Sequence, residues 1–173
     1  MIIVRVIRRL AGASSQRRGV AAVAALAVSA GIILPALATP GSDFTPTPLS
    51  KGLFGPMDVK ADKTDKWDLL LKTKDASDIT VDRLSVGAGG QSGWHTHAGA
   101  TFITITSGEV VWIDGLACSS TTYRAGEGFV EPANHVHLVR NASGSPADFI
   151  AVQVRPKNSP PRIDAPKPNS CNL

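Results

Sequence analysis

The chain has 173 residues and a formal net charge of +4. Residues 1–38 contain five arginines and no acidic residue, so of 18 Lys and Arg only 13 remain in residues 39–173, against 14 Asp and Glu, a net charge of −1. A body so close to neutral lacks the usual electrostatic basis for binding nucleic acid, and we expect no nucleic-acid partner.

Residues 1–38 have the pattern of an export signal. An arginine-rich start precedes an apolar stretch, residues 19–38, that ends in Ala36-Leu37-Ala38, a small-residue cleavage site. The stretch of about 20 residues could instead remain as a membrane anchor, and Arg17-Arg18 allows a twin-arginine export route. We expect a secreted or extracytoplasmic protein that contacts a membrane only if this segment is not cleaved.

The rest of the chain predicts one all-β domain. Residues 39–49 are interpreted as a Pro/Thr-rich linker, residues 50–156 as the folded domain and residues 157–173 as a Pro-rich tail. Within the domain, turn residues separate short β-branched runs about every 8–12 positions, which is typical of a sandwich or barrel. The strand candidates are residues 68–72, 79–86, 95–106, 110–114, 121–124, 129–131, 136–140 and 149–155, with a hairpin turn predicted at Ser107-Gly108.

The two cysteines, Cys118 and Cys171, predict one disulfide bond. An exported protein meets an oxidising compartment, where an even number of cysteines usually pairs. The bond would fasten the Pro-rich tail to the domain and would add about 4 kcal/mol of stability on chain-entropy grounds. The alternative is a pair of free thiols.

All four histidines lie in two H-x-H pairs, one at His95 and His97 and the other at His135 and His137. Because side chains alternate between the faces of a strand, the members of a pair share a face, about 7 Å apart at their Cα atoms. Two such imidazoles can converge on one ion, and His137 from a neighbouring strand would supply a third. Neutral imidazole is the commonest protein ligand of metals, so the pattern favours a metal site over packed histidines.

Two segments resemble the sequence motifs of the cupin superfamily. Residues 89–108 are similar to the first motif, G-x5-H-x-H-x3-E-x6-G, and residues 126–141 to the second, G-x5-P-x-G-x2-H-x3-N. The matching positions are Gly89, His95, His97, Gly108, Gly126, Pro132, His137 and Asn141. The resemblance is to small exported bacterial cupins with a G-W-H-x-H signature. It implies a double-stranded β-helix, or jelly-roll, barrel, and analogy with small cupins allows a homodimer formed through edge strands.

The chain departs from the first motif at the position of its acidic ligand, which is Thr101. The metal ligands that carry over are therefore His95, His97 and His137, with Thr101 as a weak ligand or a hydrogen-bonding neighbour of one. His135 precedes the third ligand, and we interpret it as an outer partner or an exposed residue rather than a fourth ligand.

Three neutral imidazoles leave a divalent ion with its full charge, which favours a small anionic molecule in the open positions. Three-histidine cupins include dioxygenases, so the resemblance implies an oxygenase-like reaction at iron, manganese, nickel, copper or zinc. The alternative is a cupin that binds a metal or small ligand without catalysis, at a site degraded by the loss of the acidic residue. We expect the pocket wall to be apolar and to comprise Ile103, Ile105, Phe129, Val139 and Val152.

Overall fold

The structure, a computed structural model, describes residues 39–61 and 63–171, in which the regular elements are strands. The predicted export signal, residues 1–38, lies outside these ranges. Among the described residues, no helix has the length and apolarity needed to cross a membrane. The strands are β1 (Ser42–Phe54), β2 (Met57–Lys60), β3 (Leu70–Thr73), β4 (Ser77–Gln91), β5 (His95–Thr96), β6 (Ala100–Ser107), β7 (Glu109–Asp114), β8 (Ser120–Arg124), β9 (Gly128–Glu131), β10 (His137–Arg140), β11 (Ala147–Pro156) and β12 (Ile163–Asp164).

Ten of the strands form a nearly closed barrel with two faces. One face has the order β1-β4-β11-β6-β9 and the other has the order β12-β5-β10-β7-β8, with antiparallel neighbours. The two faces join where Arg140 of β10 pairs with Gln91 of β4. The remaining strands, β2 and β3, form a separate hairpin-like pair. This arrangement confirms the predicted all-β fold, a double-stranded β-helix barrel.

The barrel interior is an apolar core packed from both faces. Its buried cluster comprises Val86, Ile103, Ile105, Val110, Val139, Ala147, Phe149 and Ala151. In β11 the buried and half-buried positions alternate without interruption, so that Phe149, Ala151 and Gln153 face inward. This period of two is the expected signature of a strand with one face against a core.

The N-terminal part of the domain differs from the expected linker. β1 begins at Ser42 and pairs with β4 over most of its length, with Pro46 opposite Leu84 and Pro48 opposite Asp82. The Pro/Thr-rich composition predicts a linker, but β1 lies at the edge of its sheet, where the missing N–H donor of a proline costs no ladder hydrogen bond. Residues 42–49 are therefore part of the barrel wall.

The predicted hairpin at Ser107-Gly108 is wrong. β6 pairs with β11 and β9, whereas β7 pairs with β10 and β8, so the chain crosses from one face to the other at this turn. Gly108 has a φ of 68°, a left-handed conformation that glycine adopts without strain, and this makes the sharp change of direction possible.

The Pro-rich tail crosses back over the barrel and is fixed at several points. Ile163 and Asp164 form β12 against β5, the Ala165 N–H donates to the Trp94 carbonyl, and Cys171 is bonded to Cys118. The predicted disulfide bond is thus confirmed, with 5.3 Å between the two Cα atoms. The tail is held across the end of the barrel at which the two H-x-H pairs lie.

Asp78, at the start of β4, makes an acid-sensitive contact with charged groups. Its carboxylate lies 2.9 Å from Lys51 Nζ, accepts a hydrogen bond from the Asn158 N–H at 3.0 Å and contacts Arg155. The hydrogen bond from Lys51 outweighs the opposing effect of desolvation, and the pKa of Asp78 lies below its ordinary value of 3.8.

We expect Asp78→Asn to destabilise the protein at neutral pH and much less in acid. A carboxyl whose pKa is lowered by folding stabilises the native state above its unfolded pKa and loses that effect as the pH falls through the folded pKa. The gap in urea midpoint between Asp78→Asn and wild type should therefore narrow below about pH 4. Asp58→Asn, which removes an exposed pair with Lys72, is the control and should show no such gap. A constant gap from pH 7 to pH 3 would contradict the assignment.

Candidate functional site

The structure brings three of the four histidines into one buried cluster. His95 begins β5, His137 begins β10 and the two are paired in register, while His97 lies just beyond β5. One ring nitrogen from each of the three lies within 4.8 Å of the others. His95, His97 and His137 are 5%, 6% and 0% exposed. The two strands therefore present their imidazoles to a common point, as the sequence predicts.

Each imidazole of this triad is oriented by a backbone carbonyl. The Nδ1 atoms of His95, His97 and His137 lie 2.9, 2.7 and 2.8 Å from the carbonyl oxygens of Gly93, Pro161 and His135. Since a carbonyl oxygen can only accept, Nδ1 must carry the proton in all three rings. Nε2 is then the atom of each ring that is left to bind a ligand, which is the arrangement found in histidine ligands of metals.

Burial also keeps His95 in the form that can bind a metal. Desolvation, reinforced by His137, Arg162 and His97, lowers the pKa of His95 to about 2. The ring is consequently neutral at any physiological pH, and no proton competes for its Nε2 atom.

A carboxylate that the motif comparison does not include reaches the same cluster. Glu131, the last residue of β9, is 3% exposed, and its Oε2 and Oε1 atoms each lie 3.1 Å from a nitrogen, His97 Nε2 and His137 Nε2 respectively. Burial would raise the pKa of Glu131, but the contacts with His137 and His97 lower it to about 2. Glu131 is thus ionised and faces the triad.

Thr101 and His135 occupy the positions next to this cluster. Thr101 of β6 is the cross-strand partner of Glu131, and its hydroxyl is buried without a hydrogen-bond partner. The His135 ring points away from the triad and contacts Asp114 Oδ1 at 3.1 Å. Its backbone carbonyl, however, holds His137 Nδ1, so His135 acts as an outer partner through its main chain.

A cavity of about 640 Å³ opens beside the triad. Its apolar wall includes Phe44, Leu84, Ile103, Val139, Phe149 and Ala151. Polar groups in the wall include Arg162 from the tail, together with Asp82 and Asp164, and Asp164 Oδ1 lies 2.6 Å from Arg162 Nε. Residues 42–49 of β1 and the tail, which the sequence analysis places outside the domain, therefore both contribute to the cavity.

The predicted wall residues are distributed differently from the expectation. Ile103 and Val139 line the cavity, whereas Ile105 and Phe129 belong to the apolar core and its margin. Val152 requires a correction, because the inward face of β11 carries Ala151 and Gln153 and leaves Val152 on the other face, half-buried.

This geometry can be compared with the folds and sequences of known proteins. The fold and the cluster define a small jelly-roll barrel with a histidine-lined cavity. Residues 83–153 match the family model described as "Cupin domain". The matched segment contains both sequence motifs, so the predicted resemblance to cupins is confirmed over residues 83–153. No curated protein sequence is significantly similar to it.

Several solved structures share part of the fold. Rru_A2000 from Rhodospirillum rubrum, described as a cupin-2 domain, is 16% identical over 75% of this chain and 74% of that one, with a TM-score of 0.49. A conserved protein with a double-stranded β-helix domain from Klebsiella pneumoniae is 24% identical over 65% and 86%, with a TM-score of 0.43. The polyketide cyclase RemF from Streptomyces resistomycificus is 17% identical over 50% of this chain and 60% of its own, with a TM-score of 0.45.

Proposed function

We propose that this protein is an exported cupin that holds one divalent metal ion through His95, His97 and His137 and binds a small anionic ligand in the adjoining cavity. The single observation that carries the proposal is the orientation of the triad. Three backbone carbonyls fix Nδ1 as the donor in each ring, which leaves the three Nε2 atoms to face a shared buried space. Packed structural histidines do not need this common tautomer, whereas metal ligands do.

The cavity supports a ligand that is small, largely apolar and negatively charged. Phe44, Leu84 and Phe149 would exclude water from its body, while the Arg162 guanidinium offers a charged hydrogen-bonding group at the wall. Asp164 occupies the Nε position of Arg162 and holds the side chain in place. When bound, the metal would supply a Lewis acid that polarises the anion and, if it is iron, manganese, nickel or copper, a centre for oxygen chemistry.

Export is supported by the bond between Cys118 and Cys171, because such bonds persist in oxidising compartments. The bond closes a long stretch of chain, with a sequence separation of 53. An extracytoplasmic protein would meet metal ions and small acids directly from its surroundings.

Metal content tests the proposal. We expect the full chain, produced in an oxidising compartment, to bind one ion per molecule of Fe²⁺, Mn²⁺, Ni²⁺, Cu²⁺ or Zn²⁺ by elemental mass spectrometry. His97→Ala and His137→Ala should each lose the ion, since removal of a ligand exceeds the 10–100-fold cost, roughly, of removing an outer partner.

His135→Ala is the matched control, because it removes the fourth histidine but leaves the carbonyl that orients His137. It should retain the ion. Wild type without metal after exposure to all five ions would sink the proposal and would indicate a cupin whose site is degraded.

A further inference from the structure

Glu131 lies against two members of the triad through its two carboxylate oxygens. Its two carboxylate oxygens face His97 Nε2 and His137 Nε2, each at 3.1 Å. In both rings Nδ1 lies on a backbone carbonyl, so Nε2 is the atom left to bind an ion beside the carboxylate.

The two separations, from Glu131 to His97 Nε2 and to His137 Nε2, match those of neighbouring ligands on one ion. Two ligand atoms that are each about 2.1 Å from a metal and at right angles to one another are about 3 Å apart. A carboxylate that is 3% exposed also needs a compensating positive charge, since burying an isolated one costs several kcal/mol or more. A divalent cation shared by the triad and Glu131 satisfies both requirements.

Glu131 lies on the strand next to the position at which the first motif has its acidic residue. The motif places a carboxylate at residue 101, on β6, where this chain has threonine. The Cα partner of Thr101 on the adjacent strand β9 is Glu131, and both side chains are buried. A longer acidic side chain on β9 therefore reaches the cluster from the neighbouring strand, while the Thr101 hydroxyl is left unpaired.

We propose that Glu131 is the fourth, anionic ligand of the metal ion held by His95, His97 and His137. This inference rests on the proposed metal site and refines its ligand class. With one carboxylate bound, a divalent ion keeps a single positive charge, so a monoanion such as a carboxylate or an enolate neutralises the site. The site is thus complete, with its acidic group supplied by the second motif rather than the first.

Metal affinity of Glu131→Gln tests the assignment. Zn²⁺ and Co²⁺ affinities would be measured on the full, oxidised chain by competition with a chromophoric chelator. We expect Glu131→Gln to bind each ion more than about 100-fold more weakly than wild type, because a direct ligand is lost. The control is Glu109→Gln, which removes a carboxylate that pairs with Arg124 at the surface and should leave both affinities unchanged.

An exchange of the two cross-strand residues gives a second, independent readout. Glu131→Thr alone should weaken binding, and Thr101→Glu added to it should restore the affinity to within about tenfold of wild type by returning the carboxylate to the other strand. The absorption spectrum of bound Co²⁺ should change with Glu131→Gln and recover in the exchange variant. Unfolding of the metal-free proteins would show that each variant folds.

The outcomes separate this inference from the metal site itself. If wild type binds metal and His137→Ala does not, but Glu131→Gln binds as tightly as wild type, Glu131 is not a ligand and the inference is overturned. A purely structural Glu131 would change the stability of the metal-free protein and leave the affinity and the Co²⁺ spectrum alone. Failure of wild type to bind any ion would overturn the proposed function and this inference with it.

Discussion

Replacing both cysteines, as Cys118→Ser with Cys171→Ser, should lower the free energy of unfolding by about 4 kcal/mol. The bond connects residues 53 positions apart, so its loss frees a long segment in the unfolded state. In the folded state, Cys171 is fully buried in an apolar cluster with Trp94, Ile113 and Leu138, which adds a packing contribution. Urea unfolding of the metal-free proteins measures the change.

The same double variant should also bind metal about 10–100-fold more weakly, because the tail orients a triad member. The Pro161 carbonyl that accepts from His97 Nδ1 belongs to the segment that the bond secures. The control is Ser119→Ala with Asn169→Ala, two changes beside the cysteines that leave the bond intact. A loss of less than about 1 kcal/mol, with unaltered metal affinity, would show that the tail stays in place without the bond.

Ile105→Ala should destabilise the domain by about 2–5 kcal/mol. Ile105 is 1% exposed and lies in the core cluster formed by both faces of the barrel. Truncation removes buried methyl groups and leaves a void that a closed sheet cannot easily fill, since its strands are paired on both sides. Urea unfolding with the disulfide bond intact gives the value.

Val130→Ala is the comparison for this core substitution. Val130 lies on neighbouring β9 but is 49% exposed, so its truncation should cost less than about 1 kcal/mol. Equal effects of the two substitutions would mean that the interior of the barrel is not packed as described.

The clustering of the three histidines could be predicted from the sequence because its determinants are local. The spacing of His95 and His97 predicts that both side chains point the same way, although His97 lies just beyond β5, and the second motif supplies His137 at a fixed distance from a turn. The common donor role of Nδ1 could not be predicted, since one of the three carbonyls belongs to Pro161 in the tail. This partner of His97 depends on how the tail folds back over the barrel. The tail has no regular hydrophobic pattern from which its path could be predicted.

The inward direction of the Glu131 side chain could have been predicted from the sequence. Phe129 was expected to face inward, and strand alternation then puts Glu131 on the same side two residues later. The first motif has its carboxylate at position 101, where this chain has threonine. Pairing of Thr101 with Glu131 is a property of the sheet, and the strand order of a jelly roll is needed to see it.

The alternation of side chains along a strand predicts which residues share a face, but it does not predict which face is buried. Ile150, Val152 and Val154 lie on one side of β11, but the buried side is that of Phe149 and Ala151. Both sides of this strand are rich in apolar residues, so hydrophobicity alone did not discriminate. β1 was missed for a related reason, because Pro46 and Pro48 are excluded from central strands but not from an edge.

The short strand β12 has a protective role that its two residues do not suggest. It pairs with β5 on the side opposite β10, and so occupies backbone groups that would otherwise form an open edge beside His95. An open edge can pair with a strand of another molecule, and an open edge at β5 would bring the segment of His95 into such an aggregate. The Cys118–Cys171 bond holds the tail that carries β12. We therefore expect the solubility of the protein, as well as the shape of the cavity, to depend on this bond.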